Sequence, residues 1–559
     1  MRRPRATARS RTRAGAWALL LVAVFAAALS LRLAYIQSII DSPASVILQT
    51  NALRYHTWAQ AILNGTAPSP PHDQPPAYAY LMATIYYFGG VDPLHVRIVQ
   101  AVVDAMQCVL LASLAGQVGS MRWAWSTGLV AAAYGPSIFF TGELLPATFS
   151  LAALTAALVA CVRHSWLLAG ALFLVASALR VEFLLAVVAY AAWLAFRGQR
   201  QPAKRLLLPL AIGWLGITLT TSLVAGRPVP YTTGVGLNLW LGNNPFADGV
   251  NPFPPAALRA AADRARAEAH NDPVTTDWWF LREAVAFWRA YPFQAVALAW
   301  KKLRWTLVDR ELPNTSDVDW QQSYSWLFRL PLFPVSFGAV LMLASAGLVF
   351  SLIRRKWSEA LTPLSFVAAG TLFVCTVFFT NGRFRLPLAP LLLILAGHCI
   401  ACVTQRPCFR HPTREVLLSG VAVAGAAWLA FADPYKVKTY AVPALLANAG
   451  IAERLTGRFE RARDYLRQAL AADRADDLAW AHLALAQEQL GDPVAAAEAY
   501  FEGFGFVPHS EDLRELARQF SARHGVDPIW IDQWVGARSA AEQQALRRRI
   551  LQLLRTREP

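Results

Sequence analysis

Acidic residues beside apolar segments are the first candidates for chemistry in this sequence. Asp73 stands in the polar segment Pro71-His72-Asp73-Gln74-Pro75-Pro76, where a carboxylate could accept a proton as a general base or simply form a turn. His56 and His72 are alternative bases, and both are equally explained by structural roles. Glu143 closes an apolar run; it is either a second carboxylate of the same site or a charge placed at a membrane edge.

Two arginines form a second candidate. Arg383 and Arg385 lie in the very short segment 381–386 between two apolar runs. If that segment faces outward, cations are disfavoured there by the positive-inside rule. Because guanidinium groups bind phosphate oxygens through paired hydrogen bonds, the two arginines indicate a phosphate clamp next to the membrane. Contact with lipid headgroups, or pairing with Glu143, is the alternative.

The acidic segment belongs to a loop, Leu48–Leu81, that follows the first apolar span. Its first half has apolar residues at helical spacing and predicts a short amphipathic helix. It then breaks at Asn64-Gly65 and a proline-rich run, and predicts a second, aromatic helix from Pro76. Such a hairpin could hold polar groups against the bilayer surface. It could equally be an interfacial anchor, since Trp and Tyr collect at headgroup level.

Composition indicates a polytopic membrane protein, because 55% of the 559 residues are hydrophobic and only 16% are charged. The net charge of +16 is distributed in short tracts between apolar spans, which is the positive-inside pattern and argues against nucleic-acid binding. Eleven spans are predicted, at roughly 16–36, 96–117, 123–141, 147–163, 166–180, 182–197, 206–225, 330–353, 361–379, 386–404 and 415–432.

With the basic segment 1–15 in the cytoplasm, this scheme makes 16–432 the membrane domain. It places the first loop, 37–95, the large loop, 226–329, and everything after about 433 outside. Within the large loop, Lys301, Lys302 and Arg304 beside two tryptophans predict a helix in the membrane interface with its cations at the phosphates; a solvated helix is the alternative.

After residue 433 the sequence repeats with a period of 34 residues, the length of a tetratricopeptide (TPR) repeat. Gly450, Gly457, Ala462 and Ala469 recur as Ala484, Gly491, Ala496 and Gly503. Two repeats over 433–510 are therefore predicted, with 511–559 as a helical tail that supplies a degenerate third unit or cap. Such repeats bind or scaffold protein partners and carry no chemistry of their own.

Several motifs resemble one family. They are Tyr55-His56-x-Trp58-Ala59, Gly65, Gln74-x-Pro76-x-Tyr78-x-Tyr80-Leu81, the segment from Gly236 through Gly242-Asn243-Asn244-Pro245 to Asp248-Gly249, and Arg383-Phe384-Arg385-Leu386-Pro387. In this order they resemble the GT-C membrane glycosyltransferases, especially the protein-mannosyltransferase-like (family 39) group with C-terminal TPR repeats. Enzymes that transfer aminoarabinose share the acidic residue before a Pro-Pro pair. The resemblance implies an all-α GT-C fold with juxtamembrane helices outside.

It also implies transfer of a sugar from a polyprenyl-phosphate donor to an extracytoplasmic lipid, glycan or protein, at the inner membrane of a bacterial-type cell. Asp73 would be the acid/base and Glu143 a second carboxylate, with Tyr55 and Asn51 shaping the pocket. Arg383, Arg385 and Arg180 would bind the donor phosphate, although Arg180 could instead pair with its neighbour Glu182. No cofactor is implied with certainty, and no metal site is predicted.

One departure from the family matters. The family has an aspartate as base four residues before the loop tyrosine, where this chain has Asn51, and an amide has no basic site near neutral pH. The alternative is therefore a catalytically lapsed protein that keeps a lipid or glycan site and scaffolds through its repeats. The motif residues Gly242, Asn243, Asn244 and Asp248 have no role that follows from their chemistry; a loop-structuring Asx turn is the leading explanation.

Overall fold

The computed structural model of the chain describes residues 8–250, 256–313, 317–354, 359–404, 412–437, 440–537 and 539–556. Nearly all regular structure in these ranges is helical. Extended pairing among the described residues consists of two isolated backbone bridges, His72 with Thr232 and Tyr134 with Val335. The prediction of an all-α chain is confirmed for this part of the protein.

The helices up to residue 250 are α1 (Ala8–Ile39), α2 (Pro43–Val46), α3 (Thr50–Leu63), α4 (Ala77–Gly89), α5 (Pro93–Val118), α6 (Met121–Ala133), α7 (Gly135–Gly142), α8 (Ala147–Val162), α9 (Trp166–Leu179), α10 (Phe183–Phe196), α11 (Arg200–Ala225) and α12 (Val235–Gly242). From 256 to 431 they are α13 (Ala256–Glu268), α14 (Pro273–Ala290), α15 (Pro292–Thr306), α16 (Val318–Gln322), α17 (Phe337–Ile353), α18 (Thr362–Val377), α19 (Gly382–Arg385), α20 (Ala389–Val403) and α21 (Pro412–Phe431), with short 3₁₀ turns at Leu327–Arg329, Glu359–Leu361 and Leu386–Leu388.

Six helical segments in the described ranges are long and apolar enough to cross a membrane: Ala14–Ile39, Pro93–Val118, Arg200–Ala225, Glu359–Val377, Gly382–Val403 and Arg414–Phe431. Helices α8, α9, α10 and α17 are apolar but shorter. The chain is thus a helical membrane protein, and the total of eleven spans stays a prediction.

The segment predicted as a single span at 123–141 forms two helices, α6 and α7, that meet at Tyr134. Tyr134 has an extended backbone, with ψ of 110°, because Pro136 cannot continue a helix from the preceding turn. The freed backbone groups are not left unsatisfied: Gly135 N–H donates to the Val335 carbonyl and Val335 N–H donates to the Ala133 carbonyl, at 2.9 and 2.8 Å. The break between α6 and α7 is therefore stabilised by hydrogen bonds to the segment before α17.

A buried ion pair joins the first two long helices. Arg32 of α1 lies 2.6 Å from Asp104 of α5, and both side chains are almost completely buried. Arg32 also donates to the Ala131 carbonyl at 3.2 Å. A charge inside a low-dielectric bundle is tolerated only when it is paired and hydrogen-bonded, and this pair joins α1 to α5 and α6.

Helix α15 differs from its prediction. Phe293, Val296 and Trp300 are exposed along one side, as expected for an interfacial helix, but Lys302 and Arg304 are buried. Arg304 donates to the carbonyls of Trp428 and Ala432, at 2.9 and 2.7 Å. These carbonyls lie at the C-terminal end of α21, where the helix dipole favours a cation. The two buried cations therefore bind the protein itself and are not free for lipid phosphates.

The tail contains α22 (Pro443–Leu455), α23 (Phe459–Ala472), α24 (Asp477–Gln489), α25 (Pro493–Phe506), α26 (Glu511–Arg523), α27 (Ile529–Gly536) and α28 (Ala540–Arg555). Helices α22, α24 and α26 begin 34 residues apart. Gly457, Gly491 and Gly525 recur at the same interval in the turns, with φ of +79°, +81° and +63°, a conformation that glycine adopts without a steric penalty. The helix spacing thus continues into a third pair with a shortened second helix, and identification of these pairs as TPR repeats stays a prediction.

Candidate functional site

A cavity of about 330 Å³ lies at the end of the helix bundle where α9 and α18 end and α10 and α20 begin. Four of the residues singled out in the sequence line it together: Tyr55, Asp73, Arg180 and Arg383. They come from four separate parts of the chain. We call this space the arginine cavity.

The remaining wall of the arginine cavity is largely apolar. It includes Leu179, Leu185, Phe373 and Val374 of helices α9, α10 and α18. Leu185 is 43% exposed and Phe373 is 53% exposed on the surface of the bundle. Since these two side chains lie on apolar helices, the cavity extends to an exposed apolar surface of the bundle. The arrangement suits a molecule with an anionic group attached to a hydrocarbon chain.

Arg383 is the cation of the cavity that has no acidic partner. Its guanidinium lies 5.0 Å from the centre of the Phe384 ring, and among the described residues it makes no ion pair and no side-chain hydrogen bond. The backbone around it is held firmly, because Asn381 caps α19 by accepting from Phe384 N–H at 2.9 Å and Thr380 N–H donates to the Gly249 carbonyl. An arginine held beside a cavity without a counter-ion is prepared to bind an anion.

Arg180 is the second cation. Its Nε donates to Glu182 Oε1 at 2.7 Å, and its Nη1 donates to the Arg383 carbonyl at 3.0 Å. The pairing with Glu182 that the sequence left open is therefore present. Arg180 still lines the cavity, and its guanidinium lies 5.5 Å from the centre of the Phe384 ring. Part of its charge is neutralised, so Arg383 is the stronger anion-binding group.

Tyr55 forms the part of the wall that belongs to the first loop. Its ring packs edge-to-face against Tyr78, with ring centres 5.0 Å apart, and is completely buried. Burial raises the pKa of the Tyr55 hydroxyl, although the charge of Arg383 opposes this effect. The hydroxyl oxygen has no hydrogen-bond partner among the described residues. A buried hydroxyl of this kind is available to a ligand.

Asp73 is paired with Arg54, and both side chains are about half exposed. The backbone next to it is held by the large loop, since Thr233 N–H donates to the His72 carbonyl at 2.7 Å. Gly234, with φ of +143°, allows the large loop to pass close to the Asp73 carbonyl. Residues 72–73 and 232–234 thus form one wall of the arginine cavity. Arg54 was not singled out in the sequence. Its position directly before Tyr55 does not indicate a contact with Asp73, which only the fold brings close.

Asn51 and Glu143 lie elsewhere. Glu143 lines a separate, narrow cleft with Thr50 and Arg97, and its carbonyl accepts from Gln100 Nε2 at 2.8 Å. Asn51, on the first turn of α3, lines neither this cleft nor the arginine cavity. The structure therefore does not bring Glu143 into one cavity with Asp73.

Arg385 is also separate from the cavity. Its side chain is 1% exposed, lies 2.5 Å from Glu311, and has its guanidinium 4.1 Å from the centre of the Phe337 ring. It also donates to the Arg310 carbonyl at 3.1 Å. All of these partners are protein groups, and together they tie α19 to the segment that follows α15. The predicted pair of arginines is thus divided, with Arg383 at the cavity and Arg385 in the protein interior.

The Gly242–Asp248 motif organises the loop behind the cavity. Asn243 Nδ2 donates to the Val377 carbonyl at 2.8 Å, and Asn244 Oδ1 accepts from Phe246 N–H at 2.8 Å. Asp248 Oδ1 accepts from Val250 N–H at 2.9 Å, and Tyr440 donates to the other carboxylate oxygen at 2.6 Å. A Cβ on Gly242 would lie 1.9 Å from the Phe378 carbonyl oxygen. The motif therefore contacts Val377 and Phe378 at the end of α18, and Phe378 and Phe379 line the cavity.

Lys302 is a buried cation behind the same wall. Its Nζ donates to Asn243 Oδ1 at 3.0 Å and to the Val377 carbonyl at 3.3 Å. No ion pair joins it to the residues that the structure describes, and burial lowers its pKa to about 7. In the sequence it is indistinguishable from the neighbouring Lys301.

No candidate metal site of three or more His, Cys, Asp or Glu side chains occurs within the described ranges. Cys399 and Cys402, whose spacing loosely fits zinc, are buried on α20. Cys408 and His411 lie outside the described residues.

No protein-family model matches the sequence, and no curated protein matches it. Among solved structures, two of the oligosaccharyltransferase from Archaeoglobus fulgidus are similar in fold. The crystal structure of the apo form is 13% identical, with a TM-score of 0.43 over 78% of this chain and 58% of that chain. The structure of AglB with an inhibitory peptide and a dolichol-phosphate is 12% identical, with a TM-score of 0.40 over 79% and 59%. This chain spans under three fifths of either, and similarity at these TM-scores carries no conclusion about activity.

Proposed function

We propose that this protein is a membrane glycosyltransferase of the GT-C type that takes its sugar from a polyprenyl-phosphate donor. The observation that carries the proposal is Arg383, a cation without an acidic partner that lines a largely apolar cavity together with a carboxylate. The phosphate would lie against Arg383 and Arg180, and the polyprenyl chain would follow Leu185 and Phe373 into the lipid. Charge-assisted contacts of this kind are worth about 1.5–3 kcal/mol each.

The transfer needs a base on the acceptor side. In the reaction, an acceptor hydroxyl oxygen forms a bond to C1 of the sugar while the bond from C1 to the phosphate oxygen breaks. The phosphate leaves with the electron pair and is held by the arginines, and Asp73 takes the hydroxyl proton. Arg54 contacts only Oδ2 of Asp73, so Oδ1 can accept the proton. The exposed pair is held by about 1 kcal/mol or less and can also open. The Tyr55 hydroxyl would donate to a sugar oxygen.

A second candidate function is supported by Asn51 and by the Arg54–Asp73 pair. In this alternative the chain is catalytically lapsed, holds a lipid phosphate or glycan, and scaffolds protein partners through its helical pairs. Where the second candidate holds a lipid phosphate, both candidates require the arginine cavity to bind a prenyl phosphate, and only the first requires turnover.

Binding of undecaprenyl phosphate to the purified protein in detergent tests whether the arginine cavity is a phosphate site. Wild type should bind, Arg383→Ala should lose at least tenfold in affinity, and Arg383→Lys should recover part of the loss. Arg289→Ala is the control, since Arg289 is exposed at the end of α14. Equal affinity for wild type and Arg383→Ala would contradict the phosphate site.

We also propose that the cavity and the tail face the outside of an inner membrane, with the N-terminus in the cytoplasm. The support is the positive-inside distribution of the basic tracts. A C-terminal alkaline phosphatase fusion should be active and a green fluorescent protein fusion should be dark. The opposite pair of results would contradict this orientation.

A further inference from the structure

The first helix pair of the tail is seated on the loops of the membrane domain. Glu453 of α22 is completely buried, and its Oε1 accepts from Trp320 Nε1 at 2.8 Å and also from the Tyr324 hydroxyl. Arg461 of α23 lies 3.2 Å from the same carboxylate oxygen. All three partners contact Oε1, and Oε2 is buried with no hydrogen-bond partner among the described residues. A buried carboxylate is tolerated only when it is paired and hydrogen-bonded, so the contacts of Oε1 join the tail to the membrane domain at this point.

The same helix pair reaches the first loop. Gln49 Nε2 donates to the Asn448 carbonyl of α22 at 2.6 Å. Ala44 and Ile47 pack against a small apolar cluster formed by Trp320, Ala449 and Ala452. Gln49 occupies the N-cap position of α3, yet its side chain does not cap that helix. The Gln49 side chain instead forms its hydrogen bond with the tail.

The backbone between this contact and the cavity is strained. Thr50, the first residue of α3, has φ of +48°. A β-branched residue in the left-handed region is unfavourable, and it persists only where its surroundings hold it in place. Thr50 directly follows Gln49, the residue that the tail holds. Four and five residues further along the same helix are Arg54, the partner of Asp73, and Tyr55 of the cavity wall.

We propose that the helix pair α22–α23 is a positioning element for the arginine cavity. Through Gln49 and Glu453 it holds the strained start of α3, and thereby the Tyr55 and Arg54–Asp73 side of the cavity. Gln49 and Glu453 are positioning residues, since neither touches the cavity. The inference rests on the proposed function only in naming what the cavity binds; the mechanical link between the tail and α3 stands without it.

The test uses the full chain in detergent and two readouts, hydrogen exchange of the 50–63 segment and affinity for undecaprenyl phosphate. Loss of a single hydrogen bond in Gln49→Ala should raise the hydrogen-exchange rate of this segment about three- to tenfold. It should lower the affinity for undecaprenyl phosphate by a similar factor. Glu453→Gln should produce a change in the same direction while the tail helices stay protected. Gln519→Ala, the same kind of substitution on an exposed face of α26, is the control.

A rescue separates positioning from a general loss of structure. Asn tolerates the left-handed conformation better than Thr, so Thr50→Asn should reduce the effect of Gln49→Ala on both readouts. Unchanged exchange of α3 in both Gln49→Ala and Glu453→Gln, with α22–α23 still protected, would overturn the inference. If α3 loosens but wild type does not bind undecaprenyl phosphate, the proposed function fails and the positioning role stands. If wild type binds undecaprenyl phosphate and α3 stays protected in both Gln49→Ala and Glu453→Gln, only the positioning role fails.

Discussion

Arg385 and Glu311 form an ion pair of 2.5 Å in the interior of the protein. Burial raises the pKa of Glu311, and the charge of Arg385 opposes this effect. Two residues earlier on the same four-residue helix, Arg383 has no such partner and faces the arginine cavity. In one short motif, Arg385 therefore anchors the helix in the protein interior, and Arg383 lines the arginine cavity.

This division predicts opposite results for the two arginines. Arg385→Ala should lower the free energy of unfolding by about 3–5 kcal/mol, because it leaves the Glu311 carboxylate buried without its partner. Arg383→Ala should leave the melting temperature in detergent nearly unchanged, because no protein group loses a hydrogen bond. Equal destabilisation by the two variants would show that Arg383 also has a structural role.

Asp73→Asn should reduce turnover about 10²–10⁴-fold, the usual contribution of a general base, and should leave undecaprenyl phosphate binding unchanged. Asn51→Asp should change the rate only modestly, since position 51 does not line the cavity. The measurement is glycosyl transfer by membranes of a deletion strain that carries each variant.

Two other outcomes of that assay are informative. An inert wild type that gains activity with Asn51→Asp would establish the lapsed alternative. An active wild type that is indifferent to Asp73→Asn would place the base elsewhere, with His56 and Glu143 as the next residues to test.

Lys302 should make stability depend on pH above neutrality. Its pKa is lowered to about 7 in the folded protein, whereas an unfolded lysine titrates near 10.4. Between these values the unfolded chain binds a proton that the folded protein does not, so stability is lost as the pH falls from about 10 to 7 and changes little below 7. Melting temperature from pH 7 to 9.5 should rise more steeply in wild type than in Lys302→Met. Lys301→Met is the control and should keep the slope; a wild-type slope in Lys302→Met would contradict the prediction.

Gly242→Ala should destabilise the protein. The new Cβ would lie 1.9 Å from the Phe378 carbonyl oxygen, which is backbone and cannot turn away, and overpacking of this kind costs about 1–3 kcal/mol. Because the displaced segment lines the cavity, affinity for undecaprenyl phosphate should fall as well. Gly420→Ala, where nothing lies within 4 Å of the added atom, is the control and should be neutral or slightly stabilising. Unaltered stability in Gly242→Ala would mean that α12 and α18 can separate.

The sequence by itself determined the helical membrane character of the chain, because apolar runs of about 20 residues have few other stable structures. It also indicated the 34-residue period of the tail and the turns at Gly457 and Gly491, since a repeat and its turn glycines are local features. The candidate cations could be selected as well, because arginines in a segment predicted to face outward depart from the positive-inside rule. The carboxylates were selected as possible proton acceptors beside apolar spans.

Only the tertiary structure decided which of those residues share a site. Asp73, Tyr55, Arg180 and Arg383 converge on one cavity, whereas Glu143 lines another cleft and Arg385 is used inside the protein. Such choices depend on contacts between segments far apart in the chain, such as Arg385 with Glu311 or Gln49 with Asn448. Hydropathy and spacing describe only neighbours along the chain, so they carry no information about which distant group neutralises a charge or holds the start of a helix.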